Sequence, residues 1–396
     1  MIRIEDKTQC CGCSACVAVC PHSCISIKAD SEGFYYPLVD ETKCVDCGLC
    51  EKKCPIKNKE QGAVHKLDSY VIQNKDVEIL KESTSGGAFT AFAKYIINQQ
   101  GVIVGAALNE QLVVEHIIVK TEADLYKFRN SKYVQSYISP AIFPRIKQLL
   151  KAGTMVCFSG TACQVEGLKS YLGNTPTDNL LCIDVVCRAV PSPLIYKKYL
   201  EYQSKKNSTP VTGVRFRDKH YGYRFPSVKL SFSNKKIKYH RGIESDPWLR
   251  AFFTGICNRP SCYKCVFKEI YRISDITLWD CFDYEDHFPQ MLLNMGATNM
   301  LIHTKKGRDI FNKVAELFIV EPVNTDIQLS KIKEMTASTE MHVSRVSFFE
   351  DAQTLDGYVL FNKYFPIGFR QKALYYGRLL TLKLGVYRLL KKVIRR

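Results

Sequence analysis

Eight of the eighteen cysteines in this 396-residue chain fall into two copies of one pattern. Cys10, Cys13, Cys16 and Cys20-Pro21 read C-x2-C-x2-C-x3-C-P, and Cys44, Cys47, Cys50 and Cys54-Pro55 repeat it 34 residues later. Three thiolates within seven residues fold as a short loop around one corner of a four-iron cubane. The proline after the fourth cysteine ends that loop and turns its thiolate toward the other cluster. The expected assignment is therefore crossed: Cys10, Cys13, Cys16 and Cys54 hold one 4Fe-4S cluster, and Cys44, Cys47, Cys50 and Cys20 hold the second. Such clusters pass single electrons.

Two other uses of cysteine compete and fit less well. Zinc ribbons take four thiolates in two pairs, not eight in two proline-closed quartets. A disulfide framework needs an oxidising compartment, and residues 1–10 contain no apolar export segment. Cytoplasmic, reducing surroundings are expected. Cys11 and Cys24 fall outside the spacing and read as buried bystanders.

Elements must hold these residues in place. Residues 25–27 and 34–36 flank Ser31-Glu32-Gly33 and read as a hairpin between the cysteine copies. Residues 57–66 read as a linker. Beyond it, strands are expected at 69–73, 102–108, 113–119, 155–158 and 180–186, with helices at 88–99 and 144–151. The fold class is α+β. A two-cluster ferredoxin-type domain (1–58) precedes a mixed α/β domain (67–345) and a helical basic tail (346–396).

At 46% apolar and 24% charged residues the composition is that of an ordinary globular protein. No apolar run approaches the roughly eighteen residues of a membrane span. The net charge of +17 is unevenly spread. Residues 1–58 carry seven Lys/Arg against eight Asp/Glu, whereas residues 363–396 carry ten Lys/Arg and no acid. No nucleic-acid partner is expected from a charge confined in this way. In the tail, Leu379, Leu382, Val386, Leu389 and Val393 recur at steps of three and four between Arg378, Lys383, Arg388, Lys391 and Lys392. That pattern suits either a peripheral contact with the inner face of an anionic membrane or a helix docked on its own domain.

The remaining cysteines offer one more C-x2-C pair, Cys262 and Cys265. Cys163, after a Gly-Thr turn, and Cys187, after an apolar run, are the best-placed partners. Cys157 and Cys182 lie within apolar strands and read as core. Spacing alone leaves this site open between a third cluster and zinc. The turn Ser85-Gly86-Gly87 before a helix could receive a phosphate, although such turns often only cap helices.

Six segments then carry a resemblance. Residues 84–90 (TSGGAFT), 131–136 (SKYVQS), 158–168 (FSGTACQVEGL), 187–193 (CRAVPSP), 216–219 (FRDK) and 261–265 (SCYKC) occur in this order, followed by Asp275-Ile276-Thr277. Together they are similar to the beta subunit of coenzyme F420-reducing hydrogenase/dehydrogenase, preceded by a two-cluster ferredoxin domain. The resemblance implies a third 4Fe-4S cluster on Cys163, Cys187, Cys262 and Cys265, with FAD beside it. It implies flavin-binding roles for Ser85, Gly86, Gly87, Ser131, Lys132, Tyr133, Gly160, Thr161 and Lys219. The lysines would offer cations to the pyrophosphate or to the flavin edge that gains charge on reduction.

The implied activity is electron transfer from a donor protein or reduced cofactor, through the clusters to FAD, and on to a small two-electron acceptor. Relatives act on a deazaflavin or a chlorophyll derivative, and many chains of this architecture are associated with bacterial surface-polysaccharide synthesis. The alternative is a non-catalytic carrier subunit serving a partner enzyme. No catalytic acid or base stands out; His220, Tyr221 and Tyr223 are candidates for moving a proton. Three departures change the expected pocket: Ala162 where the family has Pro, Arg188-Ala189 where it has His-Gly, and Trp279-Asp280-Cys281-Phe282-Asp283 where it has Gly-Asp-x-Trp-Gly.

Overall fold

The two cysteine loops share a backbone device. In the computed structural model, which describes residues 1–59 and 62–387, the second residue after each leading cysteine is left-handed: Gly12 at φ +72° and Asp46 at +49°. So is the fourth: Ser14 at +67° and Gly48 at +72°. Each loop then enters one turn of helix, Ala15–Ala18 or Leu49–Lys52. Paired reversals of this kind curl the backbone around a centre. Between the copies, β1 (Ile25–Ala29) and β2 (Tyr35–Val39) pair antiparallel, with Ile25 opposite Val39. Asp30 closes their turn by accepting from the amides of Glu32 and Phe34.

The body is built on an eight-stranded sheet. Its strands include β3 (Asp68–Asn74), β4 (Val102–Leu108), β5 (Val114–Val119), β6 (Val156–Thr161) and β7 (Leu180–Val185). A separate antiparallel sheet follows, of β8 (Val211–Asp218), β9 (Ser227–Phe232) and β10 (Tyr239–Arg241). The chain then returns to the large sheet with β11 (Ile276–Cys281), β12 (Ala297–Ile302) and β13 (Phe318–Pro322). The order is β13-β3-β12-β11-β7-β6-β4-β5. The inner strands β4, β6, β7 and β11 run parallel, and the flanking pairs are antiparallel. Parallel strands covered on both faces read as near-continuous apolar runs, as residues 156–158 of β6 and 180–183 of β7 do.

Helix Ala88–Asn98 covers one face with Phe92 and Ile96, beside Ile310 and Phe311 of Lys305–Val314. Ile142–Lys151 and Ala162–Leu172 cover the other, and Cys13 and Ala15 of the first cysteine loop pack into that same core. Gly167 makes this approach possible, because a Cβ there would stand 2.5 Å from Cys13 Cβ. A third core joins the small sheet to Pro193–Lys206 and Pro247–Thr254 around Tyr199, Phe216 and Trp248. Phe34 of the hairpin is buried there.

Residues 57–66 contain more than a spacer. Lys59 is largely buried and pairs with Glu166 at 2.7 Å and Glu269 at 2.5 Å. Helix Phe369–Lys383 docks through Tyr375, whose hydroxyl donates to the His240 carbonyl at 2.7 Å, and through an ion pair of Arg378 with Glu244. Its Phe369, Tyr376, Leu380 and the following Leu384 face outward. Of the expected amphipathic tail, Arg388, Leu389, Lys391, Lys392 and Val393 lie outside the described residues. No described helix is long and apolar enough to cross a membrane.

Candidate functional site

Two neighbouring cavities divide the N-terminal cysteines. One is lined by Cys10, Cys13, Cys16 and Cys54, with Cys11 and Pro55 at its wall. The other is lined by Cys20, Cys44, Cys47 and Cys50, with Cys24 beside them. Each cavity thus draws three cysteines from one copy and the proline-linked cysteine from the other. The Ile2 amide points at Cys50 Sγ, 3.3 Å away. Cys20 and Cys24 sulfurs lie 3.3 Å apart. Among the described residues no three His, Cys, Asp or Glu side chains close around a single ion. The thiols stand around hollows, as a multi-iron core requires and one tetrahedral zinc does not.

A further quartet forms where three segments meet. Cys163 is the second residue of Ala162–Leu172, whose N-cap Thr161 and Gln164 complete a capping box. Cys187 follows β7, and Cys262 and Cys265 flank the end of the short turn Pro260–Lys264. These thiols act on one another: burial raises Cys187 to about 12, with Cys163 and Cys265 adding to the effect and Lys268 opposing it. Cys262 Sγ accepts from the Val190 amide at 3.4 Å, and Cys163 Sγ lies 3.1 Å from Thr161 Oγ1. The same Cys163 interacts with Cys11, at the wall of the first cavity. Cys157 and Cys182 are wholly buried in their strands.

The segments expected near a flavin also converge, but with their donors occupied. Thr84 Oγ1 accepts from the Ser131 amide at 2.9 Å, joining residues 84–87 to 131–133. Ser85 Oγ donates to the Ala297 carbonyl at 2.5 Å, and the Gly86 amide to Thr298 Oγ1 at 2.9 Å. Gly87 is left-handed (φ +74°) and caps Ala88–Asn98. Lys219 Nζ donates to the carbonyls of Leu80, Ser85 and Met295 at 2.7, 2.7 and 2.5 Å. Lys132 Nζ donates to those of Lys127 and Arg129. Burial lowers both lysines to about 7. Neither is a surface cation, and each amine is committed to the fold. Gly160 and Thr161 end β6, where the Thr161 amide donates to Gln164 Oε1 at 2.9 Å and leads into the capping box above Cys163. Tyr133 stacks on Phe252, ring centroids 4.6 Å apart.

At the centre of this convergence stands Arg217, paired with Asp280. Tyr223 donates to the other oxygen of the same carboxylate at 3.0 Å, and Phe282 stacks on Tyr223. Arg217 is buried and acts on the Tyr133 hydroxyl, yet its Nη2 makes no hydrogen bond to the protein; nor does Arg129 Nε. An orphaned guanidinium nitrogen of this kind fits an anionic cofactor edge. His220 stacks on His240 at 3.9 Å and Tyr221 meets Tyr375, so both belong to the dock of the C-terminal helix.

Residues 9–58 match the family described as 4Fe-4S dicluster domain, and residues 153–326 match the family described as the C terminus of the coenzyme F420 hydrogenase/dehydrogenase beta subunit. Neither matched stretch spans half of the chain. A solved structure of the F420-reducing [NiFe] hydrogenase complex from Methanosarcina barkeri is 16% identical over 68% of this chain and 88% of that one, with a TM-score of 0.47. No curated protein matches.

The dicluster domain and the beta-subunit domain together form an iron–sulfur electron-transfer subunit. Reading the sequence missed two residues of their junction and one beside Arg217. Cys11 meets Cys163, Arg259 reaches from the turn before Cys262 to Cys10, and Asn130 exchanges hydrogen bonds with the Arg217 backbone at 2.7 and 3.1 Å. Only Asn130 left a signal, since asparagine tolerates the left-handed φ of +68° found there.

Proposed function

We propose that this chain is an iron–sulfur flavoprotein oxidoreductase whose three thiol quartets form one line. The observation that supports it best is the crossed lining of the two N-terminal cavities, together with the contact of Cys11 and Cys163. Cys20, Cys44, Cys47 and Cys50 would hold the outermost cluster, Cys10, Cys13, Cys16 and Cys54 the middle one, and Cys163, Cys187, Cys262 and Cys265 the innermost. Cys47 is exposed, with Val45 (61%) and Leu49 (36%) beside it, which suits contact with an electron donor. When bound, the clusters would supply one-electron relay and FAD would pair electrons for a small acceptor. Arg217 would face the anionic edge of the cofactor. Asp280 holds that guanidinium, and Tyr223 fixes the carboxylate.

Lys268 and Arg272 would offset the charge of four innermost thiolates, a role their position beside Cys187 supports. The exposed stripe of Phe369, Tyr376, Leu380 and Leu384, in a stretch with ten basic and no acidic residues, supports peripheral contact with an anionic bilayer. A role in surface-polysaccharide synthesis would suit that location.

A second reading, a carrier without flavin, is favoured by the committed donors of Ser85, Gly86, Lys132 and Lys219. Anaerobic reconstitution with iron, sulfide and FAD separates the two. About twelve irons per chain with bound flavin supports the oxidoreductase, since each of three clusters holds four. Eight irons and no flavin leaves the carrier.

A further inference from the structure

Arg259 is among the largest fully buried side chains, only 1% exposed. Its backbone belongs to the innermost quartet. The Arg259 amide donates to the Val190 carbonyl, and the Cys262 amide donates to the Arg259 carbonyl, both at 2.9 Å. Its guanidinium belongs to the middle quartet. Nε donates to the Cys10 carbonyl at 2.8 Å, and Nη2 points at Cys10 Sγ, 3.5 Å away. The fork lies 4.1 Å above the Tyr36 ring and 5.6 Å from that of Phe34. Gly12 admits it, because a Cβ there would stand 3.0 Å from Nη1.

A buried guanidinium is expensive unless something negative faces it. The groups that act on Arg259 most strongly are Cys10, Tyr36, Cys11 and Cys262, with no carboxylate among them. Nη1 has no hydrogen-bond partner in the protein. Thiolates holding a cluster at the Cys10 side would supply the negative charge that answers this cation. Arginine does not lose its proton in proteins, so the positive charge stays in place at any working pH.

We propose that Arg259 is the positioning residue that sets the reduction potential of the Cys10-side site relative to its neighbours. This rests on the reading of the quartets as cluster sites. Hydrogen bonds to cysteine sulfur and the local net charge are the levers by which a protein tunes such a site. Reduction there adds one electron from a one-electron reductant and breaks no bond. The fixed cation balances the new charge, so no proton need follow. An electron is thereby favoured at the junction between the domains.

The test is a dithionite titration of the full reconstituted chain at controlled potential, read by visible absorbance and electron paramagnetic resonance. At the potential where the wild-type site is half reduced, Arg259→Gln should lower its reduced-to-oxidised ratio at least tenfold, about 59 mV for a one-electron couple. Arg259→Lys should stay within threefold of wild type. Midpoints of Arg259→Gln that all stay within twofold of wild type, at equal iron content, overturn the proposal. Arg259→Met keeps the stem over Tyr36 and serves if Arg259→Gln fails to load. Loss of the cluster in both neutral variants, but not in Arg259→Lys, supports a requirement for charge; loss in all three marks a packing role and overturns it. A wild-type count of eight irons would remove the innermost cluster, while the Arg259→Gln shift would still be read on the Cys10 side.

Discussion

Glu32 and Arg345 meet across 313 residues in a two-pronged ion pair, Nη1 to Oε1 at 2.8 Å and Nη2 to Oε2 at 2.6 Å. Glu32 sits in the turn of the dicluster hairpin, and Arg345 opens the helix Arg345–Thr354. Ser192 Oγ donates to the Glu32 carbonyl at 2.5 Å, so backbone and side chain of one residue are both held. Arg345→Met should strand the carboxylate, and breaking a buried pair from one side costs about 3–5 kcal/mol. Adding Glu32→Gln should return part of the loss. Thermal unfolding followed by bleaching of the cluster absorbance measures both; equal melting of Arg345→Met and wild type would contradict the clamp.

Gly167 is a contact surface for the middle site. A valine there would drive its Cβ to 2.9 Å from Cys13 Sγ, into backbone-anchored neighbours that have little room to move. Gly167→Val is expected to reconstitute with about four fewer irons per chain, the capacity of one cluster. Full iron content would show that the loop can shift away from the helix.

Lys219 should behave as a structural lysine. Lys219→Met leaves the carbonyls of Leu80, Ser85 and Met295 without their donor, at a cost of about 3 kcal/mol or more in urea unfolding of the apoprotein. Flavin retained per folded molecule should fall more for Arg217→Gln than for Lys219→Met. The reverse order would return the cofactor contact to the lysine.

The same residue fixes the sign of a pH effect. Burial lowers its amine from 10.5 to about 7. Between those values the unfolded chain binds the proton and the folded chain does not, so this group adds stability as pH rises. Below about 7 both states are charged, the ammonium serving all three carbonyls but bearing its burial penalty in full, whereas the neutral amine above that pH keeps two donors for them. The stability of the wild-type apoprotein relative to Lys219→Met should therefore grow from pH 7 to pH 10. A constant difference would mean that the amine titrates normally.

The C-terminal stripe predicts lipid preference. The full chain should sediment with vesicles containing phosphatidylglycerol and not with phosphatidylcholine alone, and added salt should weaken the binding. Leu380→Glu should abolish sedimentation, since Leu380 is 57% exposed and its loss leaves the dock at Tyr375 intact. Unchanged binding would place the contact elsewhere.

The cysteine spacing made the N-terminal quartets legible because three of each four thiols are local and the backbone reversals between them repeat. The inner strands were legible as short apolar runs bounded by turns. The small sheet was not: β8 is interrupted by register shifts against β9 that break the alternation of its side chains. The lysines of 131–133 and 216–219 looked like cations for a phosphate. Which carbonyls would surround them depends on strands and turns far along the chain, as with Met295 beside Lys219. Arg217 and Asp280, 63 residues apart, were both visible as letters but not as a pair.

The two cysteine loops have the same reversals, yet only one is crowded. Around Gly48 a side chain would meet nothing within 4 Å, whereas around Gly12 it would strike Gln135 and Arg259. Two copies of one cysteine loop therefore differ in their surroundings: one is enclosed by the body and the other is open. The enclosed copy is fixed against the body, and the open copy would be the one left to meet an electron donor. With clusters in both, exchange with an outside protein would be confined to the open end, while the direction of net flow would be set by their reduction potentials.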